Sequence, residues 1–384
     1  MADIKLLIIH NKYKSNNIGG EDVVYTQELH DLREALGDEN VFTVCVSNDD
    51  INKFNLIFGI WFSVKYYKKI KQIVRKNKID LVHVHNFYPM LTPSIFKAAK
   101  DAGAKVVHTL HNYRLWCISG IFYRDNVGVC ELCVKNKYPY HGIVHKCYRK
   151  SYIQSALAQC SFWFYRATRV FDKIDFFFVL TSFQKEKLIL LGMDGKKIIL
   201  KPNSVELPFN YINDKYGYIY VGRLEESKGI HNLLKIWKLL DEKFILTIIG
   251  SGNDRLLSEY SQNNIIFKGS LSREETLERI SKSKYLIQPS LLYETFGLTI
   301  IEAMSHGTPV IGLNIGTRSD FINDGINGFL SNKSDLERVI KRSYNYFDYQ
   351  SLSKNSIETS KLYENHYITN KQINIYKDIL KDKA

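Results

Sequence analysis

The chain has 384 residues, 45% hydrophobic and 24% charged, an ordinary globular composition whose length favours two domains over one. A net charge of +13 points to an anionic partner, whether nucleic acid, membrane surface or phosphate-bearing substrate, although a Lys- and Asn-rich background can also follow from genome composition. No window holds the roughly 18 uninterrupted apolar residues of a bilayer span, and "MADIKLLIIHNKY" lacks the pattern of a signal peptide, so a cytosolic location is expected.

Short apolar runs alternate with helical patterns along the whole chain, which predicts parallel sheets flanked by helices. The first run, "KLLIIH" (Lys5 to His10), is followed by "NNIGGEDVV" (Asn16 to Val24), a paired-glycine turn before a helix. "VFTVCV" (Val41 to Val46) comes next, with Cys45 read as a core residue. "KYYKKIKQIVRKNK" (Lys65 to Lys78) carries seven cations with Ile70, Ile73 and Val74 at helical spacing. Together with the apolar stretch Phe54 to Val64 it predicts either a helix resting on anionic lipid, where each cation contributes about 1 kcal/mol, or a plain solvated helix.

"DLVHVH" (Asp80 to His85) alternates His83, read as packed, with His85, read as bordering an acceptor. "KVVHTL" (Lys105 to Leu110) places His111 just beyond a strand end, where ligands of such sheets bind. An insertion over about residues 115–150 then brings Cys117, Cys130, Cys133 and Cys147, the middle pair as "CELC". In a reducing compartment this spacing favours a structural tetrathiolate zinc site over disulfides, with His141 or His145 able to replace one thiolate and reduced packing cysteines as the alternative. Cys160 is read as a helix core residue, and "FFFVLT" (Phe176 to Thr181) closes the first series of strands.

"KPNSVELPFNYINDKYG" has the prolines and turn formers of a linker. The second series follows as "YGYIYVG" (Tyr216 to Gly222), "FILTIIG" (Phe244 to Gly250), "NIIFKG" (Asn264 to Gly269), "YLIQPS" (Tyr285 to Ser290) and "TPVIGL" (Thr308 to Leu313). Arg223 and Lys228 stand in the loop after the first of these runs, placed to hold a diphosphate by a forked guanidinium and a point charge. On their own they are equally two cations on a solvated loop. Gly250 ends another strand where backbone can approach a ligand, and Ser272 with Glu275 reads as a capping box.

In "YETFGLTIIEAMSHGTPVIG", Glu294 lies before a helix that opens at Phe296, Gly297 and Leu298, and Glu302 lies one turn or so inside it. Free amides at such a helix start attract an anion. A cap-like acid and a solvated helix acid would explain the two glutamates singly, but not the gathering of so many polar residues at the carboxyl ends of strands.

"GRLEESKG", "IIGSGND" and "ETFGLTIIEAMSHGTPVI" with "DGINGFL" resemble the nucleotide-sugar domain of retaining glycosyltransferases of the GT-B fold, family 4. The likeness covers the second half almost continuously, carried by its E-x7-E element, and the first half more loosely. It implies an α/β fold of two doubly wound, Rossmann-like domains facing across a cleft: residues 1–205 on the acceptor side, 206–350 binding the nucleotide sugar, and C-terminal helices over 351–384, the last returning to the first domain. It further implies that Glu302 bonds the ribose hydroxyls, Arg223 and Lys228 hold the diphosphate with amides near Leu298 and Thr299, Glu294 contacts the sugar, and Leu271 lines the base pocket. Gly19, Gly20 and Gly250 would approach the donor phosphates, Phe296 and Gly297 would shape the same site, and His111 would serve the reaction centre.

The donor expected is a UDP-, GDP- or dTDP-sugar. The chain has no Asp-x-Asp, so a catalytic metal is not implied. The cysteine-rich insertion resembles a subgroup concerned with surface polysaccharides such as O-antigen or capsule, which implies a lipid-linked acceptor and peripheral attachment to the inner face of the cell membrane. A sugar-nucleotide 2-epimerase of related architecture and a non-catalytic nucleotide- or nucleic-acid-binding protein are the rival readings. The intact donor set opposes both, and no RNA-binding signature is present.

Overall fold

The computed structural model describes residues 4–13, 19–51, 59–134, 140–208, 210–212, 214–252 and 258–381. Parts of the paired-glycine turn, the Phe54 to Val64 stretch, the insertion and the loop holding Asp254 lie outside them. The chain forms two compact units, the first from Met1–Gly120, Glu131–Ser204 and Asn365–Ala384, the second from Ile121–Cys130 and Val205–Glu364. Residues 351–364 thus stay with the second unit, while the final helix, Asn365–Lys381, belongs to the first.

The first unit is built on β1 (Leu6–Lys12), β2 (Val41–Ser47), β3 (Leu81–Val84), β4 (Lys105–Thr109), β5 (Phe176–Val179) and β6 (Ile198–Leu200). They lie parallel in the order β2-β1-β3-β4-β5-β6. β1 is buried over almost its whole length, as expected of a central strand covered on both faces. Helix Gly20–Leu36 and the final helix supply Tyr25, Leu32, Ile373, Tyr376 and Ile379 to a core with Leu6, Ile8, Leu81 and Phe178. β2 is an edge strand, and Cys45 on it is exposed rather than packed.

The second unit repeats the plan with β7 (Tyr216–Val221), β8 (Leu246–Ile249), β9 (Ile265–Gly269), β10 (Ser283–Gln288), β11 (Val310–Leu313) and β12 (Gly328–Ser331). The order β9-β8-β7-β10-β11-β12 is parallel throughout. Its core stacks Tyr218 on Tyr285 at 5.7 Å and sets Trp237 edge-on to Tyr218 at 5.3 Å. The Trp237 indole donates to Phe244 O at 2.8 Å, so its one polar group is satisfied in the interior. A short antiparallel hairpin, Tyr123–Arg124 with Gly128–Val129, joins this unit from the insertion.

Strand order in the second unit reverses between β7 and β10. The loops leaving these two strands are therefore splayed to opposite sides, and the gap between them is where ligands of open parallel sheets bind.

Candidate active site

In the second unit the loops after β7 and β10 touch through backbone. A Cβ added to Gly229 (φ +75°) would fall 1.9 Å from Pro289 O, and Leu291 N donates to Ser227 O at 2.9 Å. This contact brings Lys228 Nζ within 2.7 Å of Glu294 Oε1, and Ser290 Oγ reaches the same oxygen at 2.8 Å. Burial pushes the Glu294 carboxyl up, but Lys228, Arg318 and the two hydrogen bonds outweigh it and hold the group down at about 2. Arg223 lies half-exposed on the same loop, its guanidinium on Glu225 at 2.9 Å.

The next turn starts the helix Leu298–Ser305 behind Gly297, and Gln288 Nε2 approaches Thr299 Oγ1 at 3.4 Å. Phe296 is buried against Phe321 and Tyr363 and so supports the turn from below. Glu302 is buried in the helix. Arg273 Nη1 stands 2.5 Å from its Oε1 as an ion pair, but burial prevails and raises the carboxyl above its ordinary value. Gly250 presses on the β7 exit: a Cβ there would meet Gly222 O at 1.9 Å. Leu271 is partly exposed two residues past β9.

Arg318 carries no signal in the sequence, yet it holds this loop. It is fully buried, donates to Leu292 O at 3.0 Å, and also bonds Ile315 O and Ser290 O. An arginine in "GTRSD" has no periodicity or motif to mark it, and only the return of the chain to β10 reveals its use. The insertion hairpin is a second such case: Tyr123 OH and Asn126 N both donate to Glu226 Oε1, at 3.2 and 3.0 Å, which sets the hairpin against the Lys228 loop.

In the first unit His111 follows β4 and forms a 2.9 Å bond, Nε2 to His85 Nδ1. Behind it lies a buried polar network. Glu28 Oε1 accepts from Gln372 Nε2 at 2.6 Å and lies 3.2 Å from His83 Nδ1 and 3.3 Å from His85 Nε2, while Lys201 pairs with Oε2. Burial raises Glu28, but Lys201 and the histidines more than reverse this and the carboxyl sits well below its usual range. Burial lowers His111 well below 6.5 and His85 to about 3, so both rings are neutral at physiological pH. His85, Asn86, Tyr88, His111, Asn112 and Arg114 line a small cavity at this strand end.

Gly19 precedes the helix Gly20–Leu36, its amide donating to Asp22 Oδ2 at 3.1 Å, and Asp22 Oδ1 meets His10 at 2.7 Å. Beside them Glu21 is held up at about 8 by burial, with Arg114 pulling the other way. Neither Glu21 nor Glu28 stood out in the sequence, being acids on an amphipathic helix like many others.

The tetrathiolate site expected of the insertion is not assembled among the described residues. Cys117 is buried with its sulfur 3.1 Å from Ser119 Oγ, and Cys130 belongs to the second unit while Cys117, Cys133 and Cys147 belong to the first. The metal-type ligands that do gather are Glu28, His83 and His85. There the Lys201 ammonium already neutralises the carboxylate, and Thr109, Tyr376 and His111 engage the ring nitrogens, so protein groups fill the cluster.

The family model for glycosyl transferases group 1 matches residues 208–362, and that for glycosyltransferase family 4 matches residues 31–208. The chain is a family 4-like glycosyltransferase of the GT-B fold. Among curated relatives, an uncharacterised glycosyltransferase of Methanocaldococcus jannaschii is 24% identical over 345 residues, 87% of this chain and 85% of that protein. A protein of the Klebsiella pneumoniae cps region is 29% identical over 151 residues, 39% of this chain and 41% of that one. The poly(glycerol-phosphate) alpha-glucosyltransferase of Bacillus subtilis is 27% identical over 182 residues, 43% of this chain and 26% of that one. The chain spans about half the length, or less, of the first curated relatives that it matches.

Among solved structures, sucrose-phosphate synthase of Thermosynechococcus elongatus aligns with TM-score 0.68 at 17% identity, covering 98% of this chain and 100% of that one. The lipopolysaccharide outer core galactosyltransferase WaaB aligns with TM-score 0.64 at 17% identity, covering 97% and 99%. Anabaena HepE in complex with UDP gives TM-score 0.65 at 14% identity, covering 98% and 100%. These likenesses establish the fold of this glycosyltransferase.

Proposed function

We propose that this chain transfers a sugar, with retention of anomeric configuration, from a nucleoside diphosphate sugar to a lipid-linked glycan acceptor during synthesis of a bacterial surface polysaccharide. The observation that carries the reading is the Lys228–Glu294 pair at the strand-order reversal of the second unit, with Arg223 on the same loop as Lys228, shortly before the start of helix Leu298–Ser305. Cations and helix amides aimed at a departing diphosphate stabilise the charge that develops on it, which is usually the largest single contribution to catalysis. Two side-chain cations supply this charge, so the reading requires no catalytic metal.

Lys228, resting on Glu294, passes to the diphosphate when donor binds, and Glu294 is left to accept from the sugar hydroxyls. Glu302 accepts from the ribose, Leu271 borders the base, and Gly19, Gly20 and Gly250 let backbone come close to phosphate. His111 is held neutral and is assigned to serve the reaction centre. Departure and attack on one face of an oxocarbenium-like sugar fit this set better than the two-carboxylate displacement of glycosidases.

The names of similar proteins support the substrate class: HepE binds UDP, WaaB builds lipopolysaccharide outer core, and the Klebsiella relative lies in a cps region. A net charge of +13 supports a seat on the inner face of the cell membrane. The test is a thermal-shift screen of UDP-, GDP- and dTDP-sugars, followed by NMR of the glycoside formed on a lipid-linked acceptor. An inverted product overturns the retaining mechanism. An epimerised nucleotide sugar formed from donor alone overturns the transferase reading, as would tight salt-sensitive RNA binding with no donor affinity.

A further inference from the structure

Residues 132–171 contain seven Lys and Arg and no Asp or Glu. The long element of this stretch is the helix Tyr152–Ala167 of the first unit. One side of it packs inward through Ser155, Ala158, Phe162 and Tyr165, and the Tyr165 hydroxyl bonds Ile60 O.

The other side is apolar and open to solvent. Ile153 is 81% exposed, Trp163 55% and Phe164 38%, with Cys160 exposed and Leu157 half-buried between them. This helix therefore has apolar residues on both faces, and the outer set meets no core. Trp61 packs edge-on against Phe164 at 5.6 Å, and beyond it Phe62 and Val64 continue the exposed apolar surface.

Cations rim this surface. Lys146, Arg149 and Lys150 are exposed just before the helix, Lys146 lying 4.4 Å over the Tyr152 ring. At the far end Arg169 pairs with Asp172 at 2.7 Å. By contrast, helix Val64–Asn77, whose apolar stripe the sequence offered to lipid, buries Tyr66, Ile70 and Val74 inside the unit. Its lysines can add long-range attraction, but its stripe is already spent on the core.

We propose that the outer face of Tyr152–Ala167 is the surface by which this enzyme lies in the interface of an anionic bilayer, with Ile153, Trp163 and Phe164 entering the acyl boundary and Lys146, Arg149 and Lys150 on the headgroups. This rests on the reading of the acceptor as lipid-linked. Sixteen residues of helix span about 24 Å, enough to lie in the membrane plane and too few to cross it. A second copy docked on the same face would set Lys146, Arg149 and Lys150 of one copy against those of the other. An RNA partner would gain nothing from an exposed isoleucine.

The full chain is sedimented with phosphatidylcholine vesicles made with and without phosphatidylglycerol, and donor binding is measured by calorimetry in parallel. The expected result is binding to the anionic vesicles that falls about tenfold or more in Ile153→Glu/Trp163→Glu, falls in a salt-dependent manner in Lys146→Ala/Arg149→Ala, and is unchanged in Phe347→Glu, an exposed residue of the other unit. Brominated lipid should quench the wild type, and Trp163→Phe should lose part of that quenching, the remainder coming from Trp61 beside Phe164. Retained donor affinity in the variants shows that they are folded. Vesicle binding that is absent, or indifferent to Ile153 and Trp163, overturns the proposal while leaving the transferase reading intact. So does a variant-sensitive dimer in light scattering, or RNA binding that ignores both residues. Vesicle binding without donor affinity sinks the transferase reading alone.

Discussion

Replacing Glu28 by alanine tests the account of the first unit most severely. Its carboxylate and the Lys201 ammonium are both nearly inaccessible, 5% and 2% exposed, and Gln372, His83 and His85 surround the remaining oxygen. Removing the acid leaves a lysine charge in the interior with no counter-charge, a change that typically costs about 3–5 kcal/mol. The half-exposed pair Lys97–Asp101 is shorter than many, at 2.6 Å, yet solvent screening limits it to less than about 1 kcal/mol.

Urea unfolding in a Trp237→Phe background isolates the first unit, because the other three tryptophans, Trp61, Trp116 and Trp163, all lie there. Glu28→Ala should then lose several times what Lys97→Ala, in the same unit, loses. The double change Glu28→Leu/Lys201→Met should recover much of the deficit, since it removes both charges together. The sign of the pH dependence follows from the depressed carboxyl. The stability due to Glu28 is fully present above the unfolded value of 4.5 and is lost as pH falls toward the folded one. Equal losses in Glu28→Ala and Lys97→Ala, or an acid limb unchanged in Glu28→Gln, would refute the reasoning.

Other expectations concern the second unit and the histidines. Glu302→Ala should weaken nucleotide-sugar binding by about tenfold to a hundredfold, the loss of a charge-assisted hydrogen bond; calorimetry showing unchanged affinity would remove Glu302 from the donor site. Lys228→Ala should lower kcat/KM by about a hundredfold or more and let the Glu294 carboxyl rise from about 2, so that donor binding acquires an acid limb absent from the wild type. Gly250→Ala should disrupt the second unit, because its Cβ would stand 1.9 Å from Gly222 O at φ +145°; a melting profile like the wild type would contradict the close approach of the two loops. His108, lowered to about 4 by burial, opposes folding as pH falls from 6.5 toward that value, because the unfolded chain takes up the proton first; His108→Gln should flatten that part of the stability profile.

The strands were legible wherever a run of apolar residues stood between turn signals. "FFFVLT" and "YLIQPS" could hardly be anything but central strands. Ile198–Leu200 and Gly328–Ser331 escaped because the first is a three-residue run between Lys197 and Lys201 and the second offers only Phe329 and Leu330 as apolar residues. The residues expected to hold the donor stood out because their spacing is local: Lys228 and Glu294 each sit one loop beyond a strand, and the E-x7-E element spans a single turn and helix. Cys45 and Cys160 were misjudged because a strand or helix tells nothing of which side faces the core, and both are exposed.

The sequence alone determined that this chain would build two parallel α/β units and set polar residues at their strand ends, since both follow from patterns a few residues long. Tertiary structure alone decided that Arg318 braces the Glu294 loop, that Glu28 and Lys201, 173 positions apart, neutralise each other behind His85, and that the cationic helix Val64–Asn77 turns its apolar stripe inward. Each depends on which segments the fold brings together, and a buried charge is stable only beside a partner that lies far away in the chain.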